Sequence, residues 1–205
     1  MNDLSITRGE RTRVEIVEAA YCLFLEQGYH GTSMRQIAQE AGISVGGIYN
    51  HFSSKEEIYL AVLRDHHPYH EVLPAMNAAE GETLEAFVRD AAMRMVAMLD
   101  RRKDFLNVMF IELVEFNGQH ISYLFDLIYP QLIAFSGRFM QDQDRLRPVP
   151  TPVLVRAFIG LFFSYIITDL LIGTQMPQEM QVNALDHFID IYLHGILIDT
   201  GKPGA

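Results

Sequence analysis

Several things are scarce in this sequence, and each scarcity excludes something. One cysteine, Cys22, among 205 residues rules out an internal disulfide framework, and no C-x-x-C pair exists to bind zinc. The amino terminus lacks an apolar signal-peptide core, so the expected location is cytoplasmic. A glycine-rich phosphate loop, a nucleophile elbow, an H-E-x-x-H stretch and a Glu-x-x-His pair are all missing, which argues against an enzyme and leaves no cofactor to expect. Positive charge is short as well: 16 Lys and Arg stand against 26 Asp and Glu, a formal net charge of -10. A general nucleic-acid binder is usually basic, so any such function must rest on local placement of charge. Strand-length alternation, internal repeats and low-complexity tracts are absent too, apart from the tail at residues 201–205, which is expected to fray.

What the chain does have is apolar material, 49% of residues with a mean hydropathy of +0.08, ample for a buried core. Its apolar positions recur at helical spacing almost throughout. The most organised stretch covers residues 32–55, TSMRQIAQEAGISVGGIYNHFSSK. Ser33 with Gln36 reads as a capping box opening a short helix that turns Ile37, Ala38 and Ala41 to one side, and Gly42 supplies a turn. Ser44 then caps a second short helix carrying Val45, Gly46, Gly47, Tyr49, Asn50 and His51, with Ile48 and Phe52 left to face inward. Two adjacent glycines inside a helix cost on the order of 1 to 2 kcal/mol relative to alanine, so helix stability did not select them. A helix with so little bulk is suited to close approach, as major-groove reading requires. Ser53 with Glu56 and Ser54 with Glu57 offer overlapping capping boxes for the next helix, with Lys55 in its first turn.

Charge around this segment is placed, not plentiful. The first 60 residues hold five basic side chains, Arg8, Arg11, Arg13, Arg35 and Lys55, against eight acidic ones. None of the acids lies between Ile43 and Lys55, while Arg35 and Lys55 flank that interval. Arg8, Arg11 and Arg13 read either as a minor-groove arm or as a solvated helix start.

Over residues 8–64 the chain resembles the TetR family of transcriptional regulators. The likeness is carried by a first helix ending at Gly28, the Thr32-Ser33 start, Ala41-Gly42-Ile43-Ser44, Gly47-Ile48-Tyr49, His51-Phe52 and Lys55-Glu56-Glu57, in the family's order and spacing. The resemblance implies phosphate contacts from Ser33, Tyr49, His51 and Lys55, and base-edge or groove contacts from Arg35, Val45, Gly46, Gly47 and Asn50. It also implies release from double-stranded operator DNA by a small-molecule effector, and repression as the sign of regulation.

The expected fold is all-α: an N-terminal helix-turn-helix DNA-binding domain over 8–64, then a helical bundle over 65–205 for effector binding and dimerisation. A helix starting near Ser54 should end at Pro68. Residues 71–81 read as a loop or short connector, and further helices are expected over 82–102, 103–117, 120–146, 152–173 and 177–199, with Pro130 kinking the third of these. His66, His67, His70 and Glu71 straddle a proline without helical metal-ligand spacing, so no metal site is expected. Residues 157–172, AFIGLFFSYIITDLLI, form the most apolar run. Only 12 residues separate Arg156 from Asp169, fewer than the roughly 18 to 20 a bilayer needs, so burial among protein helices is expected and no membrane partner. Gly160 and Ser164, with Ala184, Leu185, Phe188, Ile191, Tyr192 and Ile196 of the last helix, form the natural seam of a homodimer.

The helix over 103–117 is apolar nearly all round, yet carries Glu112 between Phe105 and Val108, near Met109 and Phe116. A lone buried carboxylate is costly, so Glu112 is either paired, for instance with Arg94, Tyr123, Tyr129 or Tyr165, or lines a ligand cavity. A hydrophobic or aromatic effector walled by Phe105, Met109, Glu112, Phe116 and Tyr123 is the expectation. Two other readings remain, a helical-bundle enzyme and a helical protein-interaction module without DNA binding.

Overall fold

A computed structural model describes residues 7–102 and 104–198. Among these residues the chain is helical with no strand, only an isolated antiparallel bridge between Leu146 and Leu197. The helices are α1 (Arg8–Gly31), α2 (Met34–Glu40), α3 (Val45–Ile48), α4 (Lys55–His66), α5 (Tyr69–Asn77), α6 (Leu84–Asp100), α7 (Phe105–Glu115), α8 (Ile121–Gln141), α9 (Thr151–Ile172), α10 (Gln178–Gln181) and α11 (Ala184–Ile196). They form two compact units, one of residues 7–67 and 104–125, the other of residues 68–102 and 126–198.

In the first unit α1 starts at a capping box in which the Thr7 hydroxyl accepts from the Glu10 amide while Glu10 returns to the Thr7 N–H. The helix buries Ile16, Val17, Ala20, Tyr21 and Phe24. At Gly28 the backbone leaves the helix with φ +75, a left-handed value that glycine adopts without the Cβ penalty. Ile37, Ala38, Ile48, Phe52, Ile58 and Tyr59, all nearly inaccessible, bring α2 and α4 onto α1 and α3 onto α2. Packing a side chain such as Ile or Phe against others stabilises by about 1.5 to 3 kcal/mol, which is why helices of four to seven residues persist here. α4 ends before Pro68, as the sequence implies.

The second unit packs α6, α9 and α11 together, with α5 against α6. Its centre is aromatic: the rings of Phe135 and Phe158 lie 5.2 Å apart, and those of Phe158 and Phe162 4.7 Å. The Tyr192 hydroxyl donates to the Leu154 carbonyl at 2.9 Å, tying α11 to α9. α9 is long and apolar enough, by length and composition, to cross a membrane, longer than its 12-residue uncharged stretch suggests. Its Leu154, Val155, Phe158, Phe162 and Ile166 are buried in the unit, and its other residues are half-buried or exposed.

Three sequence expectations need correction. The loop or short connector expected over 71–81 is confined to 78–81: Tyr69, Val72, Leu73 and Met76, spaced as one helical face, are buried, and α5 forms around the exposed Pro74. The helix expected over 177–199 is two, because Asn183 adopts φ +54, a conformation asparagine tolerates, and separates α10 from α11. The helix expected over 120–146 stops at Gln141 and gives way to a short turn at Gln143–Arg145; Pro130 lies inside it. Lys103, the Phe105 side chain and the tail at 201–205 lie outside the described residues.

Candidate nucleic-acid interface

The helix-turn-helix is held by local bonds that its sequence encodes. The Ser33 hydroxyl accepts from the Gln36 amide, and Gln36 Oε1 accepts from the Ser33 N–H at 2.9 Å, so the capping box is complete. Gly42 takes φ +68 between the helices. Ser44 Oγ accepts from the Gly47 N–H at 3.0 Å and caps α3, which is shorter than its sequence suggests: the chain turns away after Ile48. The pair of glycines gives the backbone little reason to continue.

Burial divides the segment into two faces. Ile48 and Phe52 point inward, while Val45 is 44% exposed and Tyr49 55% exposed; Ser33, Arg35, Gly46 and Asn50 are exposed as well, and His51 is half-buried. At Gly46 a Cβ would meet nothing within 4 Å, so the protein's own packing does not call for glycine there. At Gly47 a Cβ would come within 3.1 Å of Ser44 Oγ, so this glycine also serves the cap.

Two cations are committed within the fold. Arg13 Nη1 donates to the His51 carbonyl at 3.0 Å and its guanidinium lies 4.0 Å above the Phe52 ring, whereas Arg8 and Arg11 are exposed on α1. Lys55 Nζ donates to the carbonyls of Tyr29 and Thr32, each at 2.6 Å, above the Tyr29 ring. Partial burial pulls the Lys55 ammonium's pKa down, and the carboxylate of Glu115 opposes that shift. These bonds engage two of its three N–H donors. The overlapping capping boxes are also resolved: Ser54 caps α4 by accepting from the Glu57 amide, Glu57 returns to the Ser53 N–H at 2.7 Å, and Glu56 lies instead 3.2 Å from His120 Nε2.

Glu112 is fully buried and paired. Its carboxylate accepts from the His120 N–H at 2.7 Å and lies 3.0 Å from His120 Nδ1. The suggested partner Arg94 bonds Asp90 instead. His120 was not among the suggested partners; Asn117 and Gly118, with φ +53 and +76, fold the chain back over the end of α7 and bring it there. Tyr59 lies beside this pair, its hydroxyl pKa raised first by burial and then by Glu112. Phe116 stacks on Tyr59 with ring centroids 4.5 Å apart; Met109 is half-buried and Tyr123 38% exposed. His66, one of the clustered histidines, stacks on Tyr21 at 3.7 Å and lies 3.4 Å from Glu18.

The family model for bacterial regulatory proteins of the tetR family matches residues 16–62, the interval just described. The HTH-type transcriptional regulator SrpR of Pseudomonas putida is 33% identical over 185 residues, 86% of this chain and 81% of that protein. The chain belongs to the TetR family. Like other TetR-family members it is a helix-turn-helix, DNA-binding transcriptional regulator and not an enzyme. The HTH-type transcriptional activator FasR of Mycolicibacterium smegmatis is 48% identical over 61 residues, 30% of this chain, which spans 27% of FasR. The crystal structure of native NalD, the secondary repressor of the MexAB-OprM multidrug efflux pump in Pseudomonas aeruginosa, matches with a TM-score of 0.66. That match covers 93% of this chain and 99% of NalD at 22% identity, a likeness of fold.

Proposed function

We propose that this TetR-family regulator is a homodimeric, cytoplasmic repressor that reads a near-palindromic operator and leaves it when a small molecule binds. The observation that carries the reading is the low-bulk surface of exposed Val45, Gly46, Tyr49 and Asn50 with half-buried Gly47, beside Ser33, Arg35 and His51, on a scaffold whose Ile48 and Phe52 are buried. Groove contacts fall to Arg35, Val45, Gly46, Gly47 and Asn50, and phosphate contacts to Ser33, Tyr49, His51 and the third N–H of Lys55. Residues 8–64 form the DNA-binding part and 65–205 the effector and dimerisation part, although residues 104–125 pack with the former.

Dimerisation is supported by the outward side of α9, where Val153, Ala157, Gly160, Ser164, Thr168 and Leu171 follow helical spacing and are all exposed, and by Ile191 of α11, 63% exposed. Half-sites about one helical turn apart, or slightly more, follow from one reading helix per subunit.

For the effector, an apolar or aromatic molecule remains the proposal, walled by Met109, Phe116 and Tyr123 beside the buried Glu112–His120 pair. A second site is favoured by an open cleft of about 730 Å³ in the other unit, lined by residues including Tyr165, Met176, Met180 and Phe188. A ligand of equal affinity for both conformations shifts nothing, so the effector must favour one spacing of the two reading heads. The test is selection of binding sequences from random DNA followed by effector titration. No enriched sequence, or operator affinity unmoved by every ligand that binds, overturns the corresponding half of the reading.

A further inference from the structure

We propose that Glu115 is a positioning residue for DNA recognition, acting through the backbone of the last turn of α1 and through Lys55 without touching DNA. The proposal rests on the DNA-reading role above. Its starting point is the break at Gly28, which frees the next two amides from helical bonding. Glu115, the final residue of α7, takes both: one carboxylate oxygen accepts from the Tyr29 N–H at 3.1 Å, the other from the His30 N–H at 2.8 Å. Helix ends are usually capped by residues a few positions away, but this acid comes from 86 residues further along. A Cβ at position 28 would lie 2.9 Å from Glu115 Oε1, so glycine there serves the close approach as well as the positive φ.

What Glu115 fixes leads directly into the reading helices. The Tyr29 carbonyl, in the same peptide plane as the clamped His30 N–H, accepts from Lys55, and so does the carbonyl of Thr32. Thr32 is itself buried and its hydroxyl donates to the Gly28 carbonyl at 2.8 Å. The next residue, Ser33, is the cap of α2, and Lys55 opens α4. One carboxylate thereby sets the segment entering the helix-turn-helix and, through the ammonium, the first turn of the helix leaving it.

A second tether leaves the same end of α7. Glu112, one turn before Glu115, holds His120, and His120 Nε2 faces Glu56 in the first turn of α4 at 3.2 Å. Both ring nitrogens face carboxylate oxygens, so the trio needs two protons to make both bonds. Side chains held at several points position a recognition element to within fractions of an ångström, which is what a fixed separation of two reading heads demands.

The experiment uses the full chain and an operator selected by the wild-type protein from random DNA. Glu115→Ala, Glu115→Gln and, as a control, Tyr49→Ala are compared by fluorescence anisotropy on that operator and on versions with half-sites moved by one or two base pairs. Glu115→Ala is expected to lose affinity on the order of tenfold on the selected operator and to discriminate less between spacings, since a loosened head accommodates several separations. Glu115→Gln, with a single accepting oxygen for two amides, should fall between. Tyr49→Ala should weaken all spacings alike. Wild-type affinity and spacing preference in Glu115→Ala, or a loss of equal size at every spacing, would overturn the proposal. If Glu115→Ala does not fold, Glu115→Gln decides by the same two criteria. A wild-type protein that enriches no sequence would overturn the DNA reading itself, and this is visible before any variant is made.

Discussion

At the scale of single residues, Tyr49 and Lys55 show how the same inferred role splits once burial is known. Tyr49 is 55% exposed, so Tyr49→Ala should change stability by no more than about 0.5 kcal/mol while weakening DNA binding across sequences. Lys55→Ala removes two charge-assisted bonds to carbonyls and should cost about 2 kcal/mol of folding stability as well as operator affinity. Urea denaturation beside anisotropy separates the two, and equal stability losses would contradict this division. Glu112 makes a third case, since its substitution by alanine leaves His120 beside an emptied, dry site. A loss of about 3 kcal/mol is expected, read as a lower urea midpoint at unchanged slope. A midpoint equal to wild type would mean that water solvates the pair. Glu112 was conspicuous in the sequence as an acid on an apolar stripe, but its partner was not, because nothing in the helical periodicity announces the left-handed residues at 117 and 118 that return the chain to it.

Among the elements, α4 carries the most explicit sequence signal and gives the most direct test. Ser54→Ala should cost about 1 kcal/mol, lowering the melting temperature by about 2 to 4 °C in a protein of this size. Glu57 supplies the pH dependence: the Ser53 N–H, then the Ser53 hydroxyl, hold its carboxyl below the ordinary value of 4.5. Its contribution is therefore fully present above that value and is lost as pH falls through the lower folded-state one, so melting curves should drop on acidification. In Glu57→Gln the drop should be shallower, and an identical pH profile would remove the cap from the account. α5 teaches the opposite lesson. Its residues from 71 on read as a loop or short connector, yet Tyr69, Val72, Leu73 and Met76 are buried where α5 packs on α6, and that burial outweighs the backbone donor missing at Pro74.

For the whole molecule, the proposed dimer rests on the outward face of α9, and Gly160 offers a discriminating probe of it. A Cβ there meets nothing within 4 Å, so the monomer has room for a side chain. Gly160→Glu should leave helix content unchanged by circular dichroism and shift the light-scattering mass from dimer to monomer, because a partner helix approaching so closely has no space for a carboxylate. A Gly160→Glu protein that stays dimeric places the interface elsewhere.

Whatever depends on neighbours a few positions away is legible in the order of the residues: the all-helical class, the Ser33, Ser44 and Ser54 caps, the turn at Gly42, the inward Ile48 and Phe52 and the outward Val45 and Tyr49. Caps and helical faces are set by spacings of three and four residues, so they can be read without the fold. Which distant groups share a charge or a donor was settled by the packing of the helices. It brought Glu115 to the amides at 29 and 30, His120 between Glu112 and Glu56, and Lys55 onto the carbonyls that end α1. Those pairings depend on how helices pack and where left-handed residues turn the chain, and periodicity records neither.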